Sequence, residues 1–389
     1  MHSYFQQWQQ QRSAAFVRGF LMKYKNNILG FTAVAVVVVS AVTSVLTCVN
    51  IVGSDKHISM YDNDPQKMIA DNFPFSEHLK KAGIISNEIL SDNIVNNVYS
   101  NGKMLLPVNS ETNTQGLKKT VDDINIISKK LNGTSYFTIV PTASAVYSNI
   151  MPQIDSSGKE ADNIIFASSV LDKQIKFINI YNTLCSSDDN YIFYRTDSLW
   201  TSEGAYYAYK RIIRNIGFNS TDYSDYNIIH MKSDYYGNLY DLSGINNVDY
   251  DYIDRFKSTK KTKILNVIRS DDTQNSSDSI YYDDFLNIKG KEIFYYLGNP
   301  CSVIDIETNV NNSKTLLIFK DSFANEMIEF LSHHYKHITI VDPSLISDGD
   351  MELILNNEYT DILFICGYKT AESGGYFAKI NSYLTKEKK

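Results

Sequence analysis

Cysteine and histidine are scarce in this chain, at four and seven of 389 residues, and the scarcity removes several chemistries at once. Cys48, Cys185, Cys301 and Cys366 are scattered without C-x-x-C spacing, so the sequence indicates neither a zinc site nor a disulfide framework. Cys48 lies in an apolar run, but Val45-Leu46-Thr47 before it lacks the pattern of a lipoprotein site; Cys366, inside LFIC, reads as a core strand residue. No G-x-G-x-x-G, P-loop, H-E-x-x-H or G-x-S-x-G is present, so nucleotide, zinc-protease and α/β-hydrolase chemistry lack their needed parts. A long basic patch is missing too. With a formal net charge of −7, nucleic acid is not an expected partner, and 43% hydrophobic with 21% charged residues argues against disorder. None of these patterns calls for a metal or any other cofactor.

What the chain does have begins with a charge-free run. Ile28–Val52 reads ILGFTAVAVVVVSAVTSVLTCVNIV, and as a helix rising about 1.5 Å per residue it is long enough to cross the ~30 Å hydrocarbon layer. Arg12, Arg18, Lys23 and Lys25 precede it without an acidic residue, whereas Asp55, Lys56, Asp62 and Asp64 follow in mixed sign. The positive-inside bias then places the amino terminus in the cytoplasm and everything after the run outside. The rival is a cleaved signal peptide, but the run exceeds the usual apolar region of about 7–15 residues and no clear A-x-A site follows. The expected division is a cytoplasmic segment 1–27, a transmembrane anchor 28–52, a stalk 53–94 containing the amphipathic stretch Phe75–Leu90, and an extracytoplasmic domain 95–389.

Within that domain, apolar residues at helical intervals predict a helix over Thr114–Leu131, followed by a strand at Ser135–Val140. A helix around Ile164–Leu184, a strand at Tyr191–Tyr194 and a helix at Ser202–Ile216 come next. Tyr223–Thr262, rich in Tyr, Asp and Asn, reads as an irregular insertion with short strands, and long insertions of this kind are often binding loops. Lys263–Arg269 and Glu292–Gly298 suggest a small β extension. The remainder alternates strand and helix: Leu316–Phe319, Ala324–His334, His337–Val341, Leu345–Asn356, Asp361–Cys366 and Tyr376–Leu384. That order favours a parallel sheet covered on both faces.

Thr315–Asn325, TLLIFKDSFAN, sets one serine at a strand-to-helix turn, where open α/β folds process their ligands. Ser322 is the candidate nucleophile, but a serine hydroxyl needs a base supplied from elsewhere. A second candidate segment is Arg195-Thr196-Asp197-Ser198-Leu199-Trp200-Thr201, which places a carboxylate and a tryptophan after the Tyr191–Tyr194 strand. Its plain reading is a helix N-cap with Trp200 as packing. Tyr235, Tyr236 and Tyr240 in YYGNLYDLSG invite a sugar-stacking role, with structural tyrosines as the alternative. Asp249–Asp254, DYDYID, lacks the alternation and glycine of a calcium loop and reads as a solvated surface.

The order of NGKMLLPVNSETNTQGLKKTVDDIN, YFTIVPTASAVYSNIMP, YRTDSLWTSEGAYYAYKRI, YYGNLYDLSG, LLIFKDSFANEMIEFLSHHYKHITIVDPS and TDILFICGY resembles the bacterial DHHW protein family over roughly residues 95–385. That family is a relative of the SGNH-hydrolase-like proteins that acetylate alginate. The resemblance implies a flavodoxin-like, SGNH-hydrolase-like three-layer α/β sandwich with a mostly parallel sheet. It gives Ser322 the nucleophile position and Asp197 the acid of an Asp-x-His pair. From their own chemistry and placement, Trp200, Tyr235 and Tyr236 are the expected substrate-binding residues. The resemblance also implies cell-surface polysaccharide as partner, with a membrane-bound O-acyltransferase supplying acetyl.

The departure from that pattern is a single side chain. Where the family shows Asp-His-His-Trp, this chain has Asp197-Ser198-Leu199-Trp200, so leucine stands where the proton acceptor belongs. His333 and His334 lie about 16–18 Å along the expected helix from Ser322 and read as surface residues. His337 precedes a strand at the opposite edge of the sheet, His57 and His78 fall in the stalk, and His2 is cytoplasmic. Only His230, in the tyrosine-rich insertion, remains as a substitute, since a carboxylate with a pKa near ~4 is a weak base for a hydroxyl. Two expectations follow: a catalytically impaired relative of carbohydrate O-acetyltransferases and acetylesterases, or a non-catalytic carbohydrate-binding or scaffold protein of the cell envelope.

Overall fold

Successive residues of the strand Thr315–Lys320 enter two different cores. Leu316 and Ile318 pack with the helix Ser202–Ile216, whereas Leu317 and Phe319 pack with Leu117, Val121 and Ile124 of the helix Thr114–Ser128. Side chains alternate across a strand, so a strand apolar at every position must be covered on both faces. The computed structural model describes residues 93–109, 111–152, 155 and 157–386. The expected anchor Ile28–Val52, the segment 1–27 and nearly all of 53–94 lie outside them. Among the described residues, no helix is long and apolar enough to cross a membrane.

Among the described residues, thirteen strands form three sheets. A small meander joins β1 (Ile94–Val95), β2 (Val98–Ser100) and β3 (Leu105–Pro107). The main sheet takes β4 (Thr134–Val140) and β5 (Lys176–Phe177), and β6 (Tyr226–Tyr235) pairs separately with β7 (Asp251–Ser258) as an antiparallel hairpin. Next come β8 (Ile264–Arg269), β9 (Asp272–Ser277), β10 (Val303–Thr308), β11 (Thr315–Lys320), β12 (His337–Val341) and β13 (Asp361–Gly367). The main sheet runs β5-β4-β13-β11-β12-β10-β8-β9. It is parallel from β5 to β12 and antiparallel beyond. The expected α/β class and mostly parallel sheet are found, with an antiparallel extension.

The helix Ser202–Ile216 follows the expected span because its ends are written locally. The Thr201 side chain accepts from the Gly204 N–H, and Gly217 closes the helix at φ 116°. Other spans differ. The helix expected around Ile164–Leu184 is broken into Glu160–Ser169, β5 and Tyr181–Cys185. Glu292–Gly298, rich in strand-forming residues, opens instead as a 3₁₀ turn at Glu292–Tyr295, and Leu297 and Gly298 take positive φ. The insertion expected to be irregular holds the ten-residue strand β6. Ala324–His334 is not one continuous helix: a 3₁₀ helix, Ser322–Met327, leads into a short α-helix, Ile328–Leu331.

Candidate active site

β11 delivers Ser322 through a turn built by its neighbour. The Asp321 carboxyl accepts from the Phe323 N–H at 3.1 Å, the Gly367 N–H at 2.8 Å and the Thr370 hydroxyl at 2.6 Å. It thereby caps the 3₁₀ helix and ties the turn to the end of β13. Burial pushes the Asp321 carboxyl pKa up, against the pull of those donors. A side chain at 367 would not fit, since a Cβ there would stand 2.4 Å from the Phe323 ring. Ser322 itself is exposed, and among the described residues its hydroxyl has no hydrogen-bond partner. In a 3₁₀ helix residues three apart eclipse, so Asn325 stands on the Ser322 side. The buried Lys320 fixes that amide, donating from Nζ to Asn325 Oδ1 at 2.6 Å.

Asp197 sits in a tight loop rather than after a ladder strand, because Phe193 and Trp200 form only an isolated antiparallel bridge. Its carboxylate is engaged within the fold: Oδ1 accepts from the Leu199 N–H at 3.0 Å, and Oδ2 from the Tyr235 hydroxyl at 2.6 Å and the Asn238 N–H at 3.0 Å. Gly237 permits this approach, since a Cβ there would meet Asp197 Cβ at 2.3 Å. The loop's preceding residues hang on Asp251. That buried carboxylate accepts from the N–H groups of Arg195 and Thr196 at 2.7 and 2.8 Å, and from the hydroxyls of Thr196 and Tyr191.

Trp200 joins the two turns. Its indole N–H donates to the Phe323 carbonyl at 2.6 Å, and the two rings meet edge to face at 5.6 Å. Segments more than a hundred residues apart are thus brought together, with Ser322 and Asp197 each within a few residues of the junction. Leu199 is 9% exposed and belongs to an apolar cluster with Tyr194, Tyr235 and Ile253, against which Phe323 packs. Behind the junction lies Glu326, whose carboxyl oxygens are buried without a hydrogen-bond partner. Burial, reinforced by the Asp197 charge, pushes its pKa well up, which favours the neutral acid.

Of the three residues expected to bind substrate, Trp200 is fully buried and Tyr235 nearly so, the latter turned inward to Asp197; Tyr236 alone shows a face to solvent. The histidines do not fill the missing place. His230 is exposed on the hairpin and paired with Asp254 at 2.5 Å. His333 and His334, expected at the surface, are in fact enclosed: His334 meets the Tyr209 hydroxyl at 2.6 Å, while His333 Nε2 lies 3.9 Å from the Glu329 carboxylate and neither of its ring nitrogens has a hydrogen-bond partner among the described residues. Burial lowers both pKa values to about 4. The reason is the short helix, which turns the chain back under Tyr209, Phe218 and Tyr226. Sequence reasoning missed Asp251, Asp321 and Glu326. The alternation of Tyr250 and Tyr252 with Asp251 and Ile253 signals a strand with an inward aspartate; Glu326 left no such signal.

A sequence model described as DHHW protein matches residues 53–341, most of the chain. The chain belongs to the DHHW protein family. The match starts directly after the apolar run and takes in both Asp197-Ser198-Leu199-Trp200 and Ser322. Among solved structures, a DHHW family protein from Eubacterium siraeum is 21% identical, with a TM-score of 0.60 over 75% of this chain and 95% of that one. Bacillus cereus PatB1, solved with a sulfonyl adduct, is 19% identical, with a TM-score of 0.60 over 71% of this chain and 96% of its own. These likenesses establish a shared fold. No curated protein matches the sequence.

Proposed function

We propose that this DHHW protein is a membrane-anchored, extracytoplasmic component of cell-surface polysaccharide modification, descended from O-acetyl-transferring enzymes and catalytically impaired. The observation that carries this reading is the state of the two turns: Ser322 has a free hydroxyl, while every bond of the Asp197 carboxylate goes to the fold and a buried leucine stands at position 199. In Ser–His–Asp chemistry the imidazole takes the hydroxyl proton and the carboxylate only orients it, so a carboxylate without the imidazole relays nothing. The apolar run 28–52 and its flanking charges support an anchor with the domain outside. An acyl-supplying membrane O-acyltransferase partner belongs to the same proposal.

The test uses the full chain in detergent with an aryl acetate. Wild-type protein is expected to turn over on the order of 10⁴-fold or more below a complete triad. Leu199→His is expected to raise turnover above that level, and adding Ser322→Ala to abolish the gain. Wild-type turnover that disappears in Ser322→Ala would overturn the impaired reading. A sulfonyl fluoride, suggested by the adduct in the PatB1 structure, gives a second readout through the mass of labelled Ser322.

A further inference from the structure

The β6–β7 hairpin has two unlike faces, and the site uses only one of them. Along β7, Asp251 and Ile253 are buried, while Tyr250, Tyr252 and Asp254 lie on the opposite face. The last pair of the ladder joins Tyr235 to Asp251, both turned inward, so Tyr236 and Tyr250 flank it on the outside. Tyr236 is 37% exposed and Tyr250 42%. Tyr236 packs on Tyr240 with ring centres 4.4 Å apart, Tyr250 meets Tyr252 at 5.6 Å, and Tyr252 meets His230 at 4.9 Å.

One exposed tyrosine is ordinary; two groups of touching rings, Tyr236 with Tyr240 and Tyr250 with Tyr252 and His230, beside the Tyr235–Asp251 pair make a platform. It is also a firm one, because the hairpin's inner side is pinned through Tyr235 to Asp197 and through Asp251 to Arg195, Thr196 and Tyr191. The charges around it are mostly settled in pairs: Arg195 with Asp251 at 3.7 Å, Lys232 with Asp234 at 3.0 Å, and His230 with Asp254. Asp241 and Asp249 are exposed and, among the described residues, have no cationic partner. The uncompensated charge of the platform is therefore negative.

We propose that the outer face of the β6–β7 hairpin binds a glycan chain of neutral or amino sugars, with Tyr236, Tyr240, Tyr250 and Tyr252 taking the apolar faces of successive pyranose rings. Flat aromatic faces fit the C–H faces of such rings, and the phenol hydroxyls meet the sugar hydroxyls at the rim. A uronate chain would set its carboxylates against Asp241 and Asp249. The choice of a glycan rests on the polysaccharide reading above.

Isothermal titration of the full chain in detergent with hexamers of chitosan, chitin and oligogalacturonate tests the proposal. The chitosan hexamer is expected to bind most tightly and the uronate least. Tyr236→Ala and Tyr250→Ala should each weaken binding about fivefold with unchanged thermal melting, and Tyr236→Phe should keep most of the affinity. The proposal is overturned if neither the chitosan nor the chitin hexamer binds, if the uronate binds as tightly, or if binding survives the double alanine variant. Binding is read here without turnover, so its failure leaves the Leu199→His outcome standing, and the reverse holds.

Discussion

The Ser322 turn and the Asp197 turn meet through one indole, yet they are built on opposite plans. At Ser322 the support is displaced to a neighbour: Asp321 takes the bonds that hold the turn, and the serine is left exposed and unengaged. At position 197 support and candidate chemistry fall on the same side chain, so the carboxylate holds its own loop and has no bond to an imidazole. Caps and buried carboxylates therefore hold both turns in place by themselves, so their geometry does not depend on a base standing between them.

Acid separates the two sides most strongly. His333 and His334 follow the Ser322 helix, and burial, joined by the Lys260 charge, lowers their pKa values from 6.5 to about 4. Between those values the unfolded chain binds more protons than the folded one, so stability falls as pH drops from 6.5 towards 4, by at most about 3 kcal/mol for each histidine. The Asp251 pKa is raised by burial, so acid does not remove its contribution. Urea unfolding at stepped pH checks this, and His334→Phe should flatten part of the slope. Burial raises the pKa values of the Asp321, Glu326 and Glu329 carboxyls, whose contribution runs the other way, so the readout is the difference between the two proteins: identical slopes for wild type and His334→Phe contradict the burial of His334.

Asp251→Ala attacks the other side. It strands the N–H groups of Arg195 and Thr196 and two hydroxyls, and should cost about 3–4 kcal/mol in chemical denaturation. Trp200→Phe keeps a ring but removes the donor to the Phe323 carbonyl; a loss of about 1–2 kcal/mol and faster amide exchange around Ser322 are expected. Ser322→Ala is the mildest change. An exposed hydroxyl without a partner should leave stability within about 0.5 kcal/mol, whereas a larger loss would mean that the serine also supports its turn.

What could be read from the sequence divides along the same line between local and distant causes. The helix Ser202–Ile216 was legible because Thr201 and Gly217 mark its ends, and β11, β12 and β13 because their apolar runs leave a strand no uncovered face. That the segments carrying Ser322 and Asp197 meet, through Trp200 and Phe323, was legible through family likeness alone. The 3₁₀ course after Ser322 was not, since the Phe323 carbonyl is claimed by Trp200 from another part of the chain. Nor was the enclosure of His333 and His334, which depends on aromatic rings contributed by distant segments. β10 escaped because Val303–Thr308 mixes apolar and acidic residues, and its pairing with β12 and β8 supplies what its own composition withholds.

Asp251 opens β7 and Tyr250 immediately precedes it, so a single step of chain separates the anchor of the Asp197 loop from the aromatic platform. Parity keeps them apart. One residue inserted between Tyr250 and Ile253 would turn the tyrosines inward and carry the aspartate into solvent. The parity of this arm is therefore restricted as well as its residues: a single gained or lost residue must be absorbed by a bulge, like the register shifts the ladder already carries between His230 and Tyr235.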